Sequence, residues 1–193
     1  MAATLPFLFT RAPATTVVAP DFERLVHAAD YIVRATPKSI TSDWRDNPDA
    51  PGQRYIGSLV ELDVHEVISG APPSPLVLDL VGGRIGDKEL VIDGAPRFVV
   101  GEECILFVRG NGRQIIPLVA MKHGHYPVRR DKRTGDAQIT RSGGKFLYHV
   151  DEVALPEAAA SALPARNPRA RPLSSEEFAA RIRSTASSPQ RER

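Results

Sequence analysis

Tyr55-Ile56-Gly57-Ser58-Leu59-Val60-Glu61-Leu62-Asp63-Val64-His65-Glu66-Val67-Ile68 is the stretch that decides the fold class. Taken in alternation, one face carries Ile56, Ser58, Val60, Leu62, Val64, Glu66 and Ile68. The other carries Tyr55, Gly57, Leu59, Glu61, Asp63, His65 and Val67 and is more polar. A period of two with one apolar face is that of a half-buried β-strand. Its length exceeds the usual ~5–6 residues of a strand. A bend or bulge is therefore expected, with Gly57 as its site.

Upstream, Phe22, Leu25, Val26 and Ala29 fall at i, i+3, i+4 and i+7, the stripe of a short helix, and Asp21 is placed as its N-cap. The period then changes to that of strands. Tyr31 to Thr41 reads as a first strand, and Ser42 to Gly52 as a polar loop holding the only tryptophan, Trp44. Downstream of Ile68, strands are expected at Leu76–Val81, Glu89–Ile92, Cys104–Val108, Ile115–Val119, His125–Arg130 and Asp136–Arg141. The turns between them are marked by Gly, Pro, Asn and Asp. Such a pattern is buried most naturally by a mainly β fold, an OB-like small β-barrel with an N-terminal helix and a short, loosely attached C-terminal one.

Three segments follow: residues 1–14, a domain over 15–155, and residues 156–193. The chain of 193 residues carries 17 prolines and 14 glycines, which favours short strands and turns over a helix bundle. Ala158 to Pro172 reads as an Ala/Pro/Arg-rich linker. Ser174-Ser175-Glu176-Glu177 then matches a helix-starting capping box, with Phe178 and Ile182 on one face. Ser184 to Arg193 reads as disordered. The formal net charge of +2 resides in the tail: residues 156–193 carry +3, leaving −1 for the remainder. A nearly neutral domain gives no electrostatic argument for a nucleic-acid or membrane partner.

Ala12-Pro13-Ala14 has the small-x-small form of a signal-peptidase site behind an apolar run, although a basic n-region is missing. This suggests the remnant of a signal peptide, with an upstream start codon, and export to the periplasm or beyond. The contrary reading is a frayed terminus on a cytoplasmic protein.

The segments Phe22 to Ala35, Val60 to Gly70 and Gly101 to Phe107 together resemble a group of exported bacterial proteins of unknown function. These are similar in turn to the netrin-like domain of tissue inhibitors of metalloproteinases. The resemblance spans about residues 21–150. It implies a five-stranded OB-type barrel with packed helices and a role in binding another protein. The inhibitors' zinc-chelating N-terminal cysteine has no counterpart, because no cysteine precedes Cys104.

Candidate chemistry is sparse. Cys104, the lone cysteine, lies in an apolar run and reads as a buried, inert thiol. His123 and His125 would share a face of an extended segment, but two imidazoles without further ligands make a poor zinc site. Ser142 and Lys145 lack a nucleophile elbow, and Gly82 to Gly86 lacks the ending and the helix of a phosphate loop. No catalytic residue, metal or cofactor is assigned. The expected function is that of a non-enzymatic exported module binding a protease or an envelope component. Its candidate partner-binding residues are Thr15, Thr16, Val17, Trp44 and Arg45, with Trp44 as interface anchor. The alternative is a cytoplasmic OB-fold nucleic-acid binder using Lys122, Tyr126, Arg129, Arg130, Lys132 and Arg133, a basic hairpin with one interleaved aromatic.

Overall fold

The computed structural model describes residues 18–132, 134–156 and 170–189. The fold is mainly β. A short helix α1 (Phe22–His27) is followed by β1 (Tyr31–Asp46), β2 (Arg54–Gly70), β3 (Leu76–Val81), β4 (Gly83–Ile85), β5 (Lys88–Leu90), β6 (Cys104–Val108), β7 (His125–Arg130), β8 (Ala137–Ile139) and helix α2 (Ser175–Ala186). Six strands form one antiparallel sheet in the order β3-β2-β1-β6-β7-β8, and β4 with β5 forms a separate hairpin.

Strands β1 and β2 build a long ribbon, and the alternation read from β2 holds: Ile56, Ser58, Val60, Leu62 and Ile68 are buried while Leu59, Asp63, His65 and Val67 are exposed. The irregularities lie elsewhere than expected. Gly57 pairs in register with Asp43. The register shifts fall between Ile32 and Val33, Arg34 and Ala35, and Pro37 and Ser39. The first two leave Ile68 and His65 as extra residues on β2, and the third leaves Lys38 as an extra residue on β1. Each such bulge bends its strand and adds local twist. The half that carries Gly57 runs regularly.

The central strands are covered on both faces. In β1 and β6, Ile32, Ile105 and Phe107 point into one core with Phe22, Leu25, Tyr126, Leu147 and Phe178. Tyr31, Val33, Ala35, Cys104, Leu106 and Val108 point into a second, with Val60, Leu62, Leu78 and Leu118. This explains the unbroken run Cys104-Ile105-Leu106-Phe107-Val108: a strand buried on both faces has no polar side.

The expected strand at Ile115–Val119 is reduced to a single bridge, Val108↔Leu118. Val119 N donates to Phe107 O at 2.9 Å, after which residues 120–124 leave the ladder as a short 3-10 turn. Pairing with β6 resumes at His125↔Leu106. Ala120 and Met121 take positive φ, 48° and 58°, to make this excursion, an uncommon conformation for side-chain-bearing residues. No strand pairing joins β3 to β8 among the described residues. The outer edge of β3 is met instead by residues 111–115. Asn111 Nδ2 donates to Val77 O at 2.7 Å, Asp79 N to Asn111 Oδ1 at 3.0 Å, and Val81 N to Ile115 O at 2.7 Å.

Two further expectations need correction. Helix α2 is an integral part of the core. Phe178, Ala179 and Ile182 are fully buried, and Phe178 packs against Phe22, Phe107 and Tyr126 at ring-centroid distances of 5.8, 6.1 and 5.0 Å. The helix also continues through Ser184 to Ala186, within the segment read as disordered. The capping box forms as expected, with Ser174 Oγ accepting from Glu177 N at 3.1 Å and Glu177 Oε2 accepting from Ser174 N at 3.0 Å. Hydrogen bonding from Arg171, then from Ser174 N, holds the Glu177 carboxyl down at about 2. Charges register the helix on the sheet: Arg34 reaches Glu66 at 3.3 Å and Glu176 at 3.6 Å, and Arg183 pairs with Glu66.

Gly83 illustrates how closely the hairpin β4–β5 sits on the ribbon. Its φ is +137°, and a Cβ there would meet Ser58 Oγ and, at 2.5 Å, Ser42 Oγ. These two hydroxyls hydrogen-bond each other at 2.8 Å, and Ser58 Oγ donates to Gly82 O at 2.6 Å. Gly83→Ala is expected to cost about 2 kcal/mol or more, from backbone strain plus disruption of this part-buried network. Urea unfolding measures it; a change under about 0.5 kcal/mol would mean that the hairpin is free to lift away.

Candidate functional site

Trp44 lies in a strand, not in a loop. The polar sequence after Thr41 continues β1 because residues 54–59 offer it a full ladder, with Trp44↔Ile56, Arg45↔Tyr55 and Asp46↔Arg54. The turn is confined to residues 47–53, where Asn47 N donates to Gln53 O at 2.9 Å and Asn47 Oδ1 accepts from Asp49 N at 3.0 Å. The Asn-Pro-Asp and Pro-Gly signals thus mark the turn itself, while the surrounding polar residues are solvated strand.

Alternation along this end of the ribbon puts Trp44 and Arg45 on opposite faces. Trp44 is half-buried. Its ring carries the Arg54 guanidinium 5.6 Å from the centroid and the Lys88 ammonium of β5 at 5.4 Å. Both distances are within the range of cation–π attraction. Ile40 and Ser42 share the Trp44 face of β1. A cleft of ≈ 420 Å³ lies on the ribbon side that includes Ile40, Ser58 and Val60, walled opposite by Val91, Ile92 and Phe98. Ile40 and Val91 leave apolar surface exposed.

On the other face, Arg45 stacks over Gly57, where a Cβ would come within 2.7 Å of its Cδ, and its guanidinium pairs with Asp79. Arg45 is therefore spent on internal structure and on shaping a second groove of ≈ 450 Å³, which includes Asn47, Asp49, Tyr55, Asp79 and Gln114. Thr15, Thr16 and Val17 lie outside the described residues. The sequence reading missed Arg54 and Lys88: one reaches the indole by cross-strand register and the other through a separate hairpin, and neither leaves a local signal.

The basic hairpin is arranged differently from expectation. Tyr126 is 2% exposed and packs edge-on to Phe107 at 5.6 Å, inside the core. It has no face on which a base could stack. Arg129 pairs with Glu102, and Arg130 with Glu103 at 3.2 Å. Lys122 and Lys132 are exposed. Arg133 lies outside the described residues.

His123 and His125 both border one small cavity. His125 is buried, with its ring 5.1 Å from Phe98 and Nδ1 3.0 Å from Ser142 Oγ. Among the described residues no group of three or more His, Cys, Asp and Glu is placed to hold a metal ion. Cys104 Sγ is buried 3.6 Å from Ala35 O, and burial raises its thiol pKa further from reactivity.

Burial lowers the His125 pKa to about 4, against ~6.5 for the unfolded chain. The unfolded state then binds more protons between these values, so stability rises with pH across that window. It is fully present above pH ~6.5 and lost as pH falls towards 4, by about 3 kcal/mol. Urea unfolding at both ends of the window should show wild type losing about that much more than His125→Asn. Parallel losses in the two proteins would assign the acid sensitivity to other groups.

No helix among the described residues is long and apolar enough to cross a membrane. No family model matches the chain, and no curated protein matches it significantly.

Proposed function

We propose that the chain is a non-enzymatic, exported module that binds another protein, a protease or an envelope component, through the turn end of the β1–β2 ribbon. The observation that carries this reading is the half-buried Trp44 with Arg54 and Lys88 over its ring, on a ribbon with a concave surface on each face. A rigid aromatic whose orientation is already fixed loses little entropy on binding and makes an efficient anchor. An OB-like, netrin-like barrel is the scaffold proposed for it. That reading is supported by the bonds from residues 111–115 to the edge of β3 and by the second core they enclose. Non-enzymatic character is supported by Cys104 and His125 being committed to the interior.

The direct test is a photo-crosslinking residue at Asp49, in the turn beside Trp44, in protein produced in its own host and followed by fractionation and intact-mass analysis. The expected result is one dominant crosslinked protein in the exported fraction, with the chain processed near Thr15. Recovery of an unprocessed chain in the cytoplasm would overturn export, and absence of any specific adduct would overturn binding at this end. The nucleic-acid alternative has weaker support, since Tyr126 is in the core and two of the arginines are ion-paired.

A further inference from the structure

A small polar cavity lies between the 120–124 excursion, the start of β7 and residues 141–142. It is lined by Lys122, His123, His125, Tyr126, Arg141 and Ser142, and its ≈ 10 Å³ open to the centre of a water-sized sphere is room for a single such guest. Arg141 is one of the lining residues. That residue is only 5% exposed, and its Nη1 is buried without a hydrogen-bond partner. A guanidinium stays protonated in a protein, so burial cannot be relieved by losing the charge. Leaving such a donor unpaired is among the costlier defects a core can carry.

Among the described residues no acid hydrogen-bonds Arg141 Nη1. Glu152, 3% exposed, feels Arg141 through space, but its Oε2 accepts from Tyr148 N at 3.3 Å and burial raises its pKa. The remaining lining groups add donors and positive charge. Lys122 is an exposed ammonium on the rim. His125 Nδ1 lies 3.0 Å from Ser142 Oγ. With the proton on Nδ1, the imidazole donates to the serine, whose own hydroxyl proton can then turn into the cavity.

A cavity of this size lined by Arg141, Ser142 and Lys122, residues that supply donors and positive charge, suits a small anion better than a neutral guest. From this juxtaposition we infer that the cavity binds a chloride-sized monovalent anion, with Arg141 as its principal ligand and Ser142 and Lys122 in support. The anion completes the hydrogen bonding of Arg141 and ties the excursion to residues 141–142.

Chloride NMR line broadening on the full chain tests this directly. The expected result is saturable excess broadening, displaced by bromide, and a melting temperature that rises with chloride against gluconate at equal ionic strength. Arg141→Gln should weaken the anion by about thirtyfold or more, whereas Lys122→Gln should change it by only about threefold. If Arg141→Gln does not fold, Ser142→Ala takes its place, with a smaller but measurable weakening expected. Absence of saturable broadening in wild type would overturn the assignment and leave the cavity to a water molecule. Equal broadening in wild type and in whichever of these two variants folds would overturn it as well.

Discussion

Phe178→Ala is expected to destabilise the protein by about 3–5 kcal/mol, the range for removing a large aromatic ring from a well-packed core. Phe178 is fully buried, and its ring is the meeting point of α1, β6, β7 and α2 through Phe22, Phe107 and Tyr126. Little can collapse into the vacated space, because the surrounding residues are held by separate elements. Typical domains have only about 5–15 kcal/mol in total, so the variant should be marginal at physiological temperature. A chain ending at Pro156 should fare worse, since it also loses Ala179 and Ile182 and the pairing of Arg183 with Glu66. It should lose near-ultraviolet dichroism and bind hydrophobic dyes. A Phe178→Ala cost below about 1 kcal/mol would return α2 to the status of a loosely attached appendage.

Trp44→Ala should separate binding from stability. If the ribbon end is the partner-binding surface, the substitution should weaken the complex by about thirtyfold or more, the cost of losing an interface anchor of about 2 kcal/mol. The stability change should be small. The indole is half-buried and gives up two cation–π contacts with partly or fully exposed cations, about 1 kcal/mol in all. Titrating the crosslinked partner against both proteins, with thermal melts alongside, reads both quantities. In wild type the fluorescence of this sole tryptophan should also shift on binding. Intact binding with a clearly lowered melting temperature would make Trp44 a structural cover for the hairpin β4–β5.

The two predictions differ in how far their residues were legible in the sequence. Phe178 was placed on the correct face of a helix by the capping box at Ser174 and by its spacing to Ile182, both of which are local signals. What it packs against depends on Phe22 and Phe107, far away in the chain, and that depth of burial was not readable. For Trp44 even the local state was misread. A run of Ser, Asp, Arg and Asn has no apolar alternation to announce a strand, and it is extended because β2 pairs with it. The reverse held for Tyr126. Its place amid basic residues suggested an exposed stacking face, yet β7 turns it inward, where pairing with β6 aligns it with Ile105.

The sequence by itself determined the mainly β class, the α1 stripe, the inner face of β2, the apolar strand β6 and the start of α2. Each rests on periodicity or capping, forces acting within a few residues. The tertiary structure alone decided where the β1–β2 register shifts, how β3's edge is met, that α2 closes the core, that two cations lie over Trp44, and that Arg141 is buried beside a cavity. These depend on which distant segments come together. A residue's neighbours across a sheet are fixed by register and by the competition of every element for the same core, which no local pattern encodes.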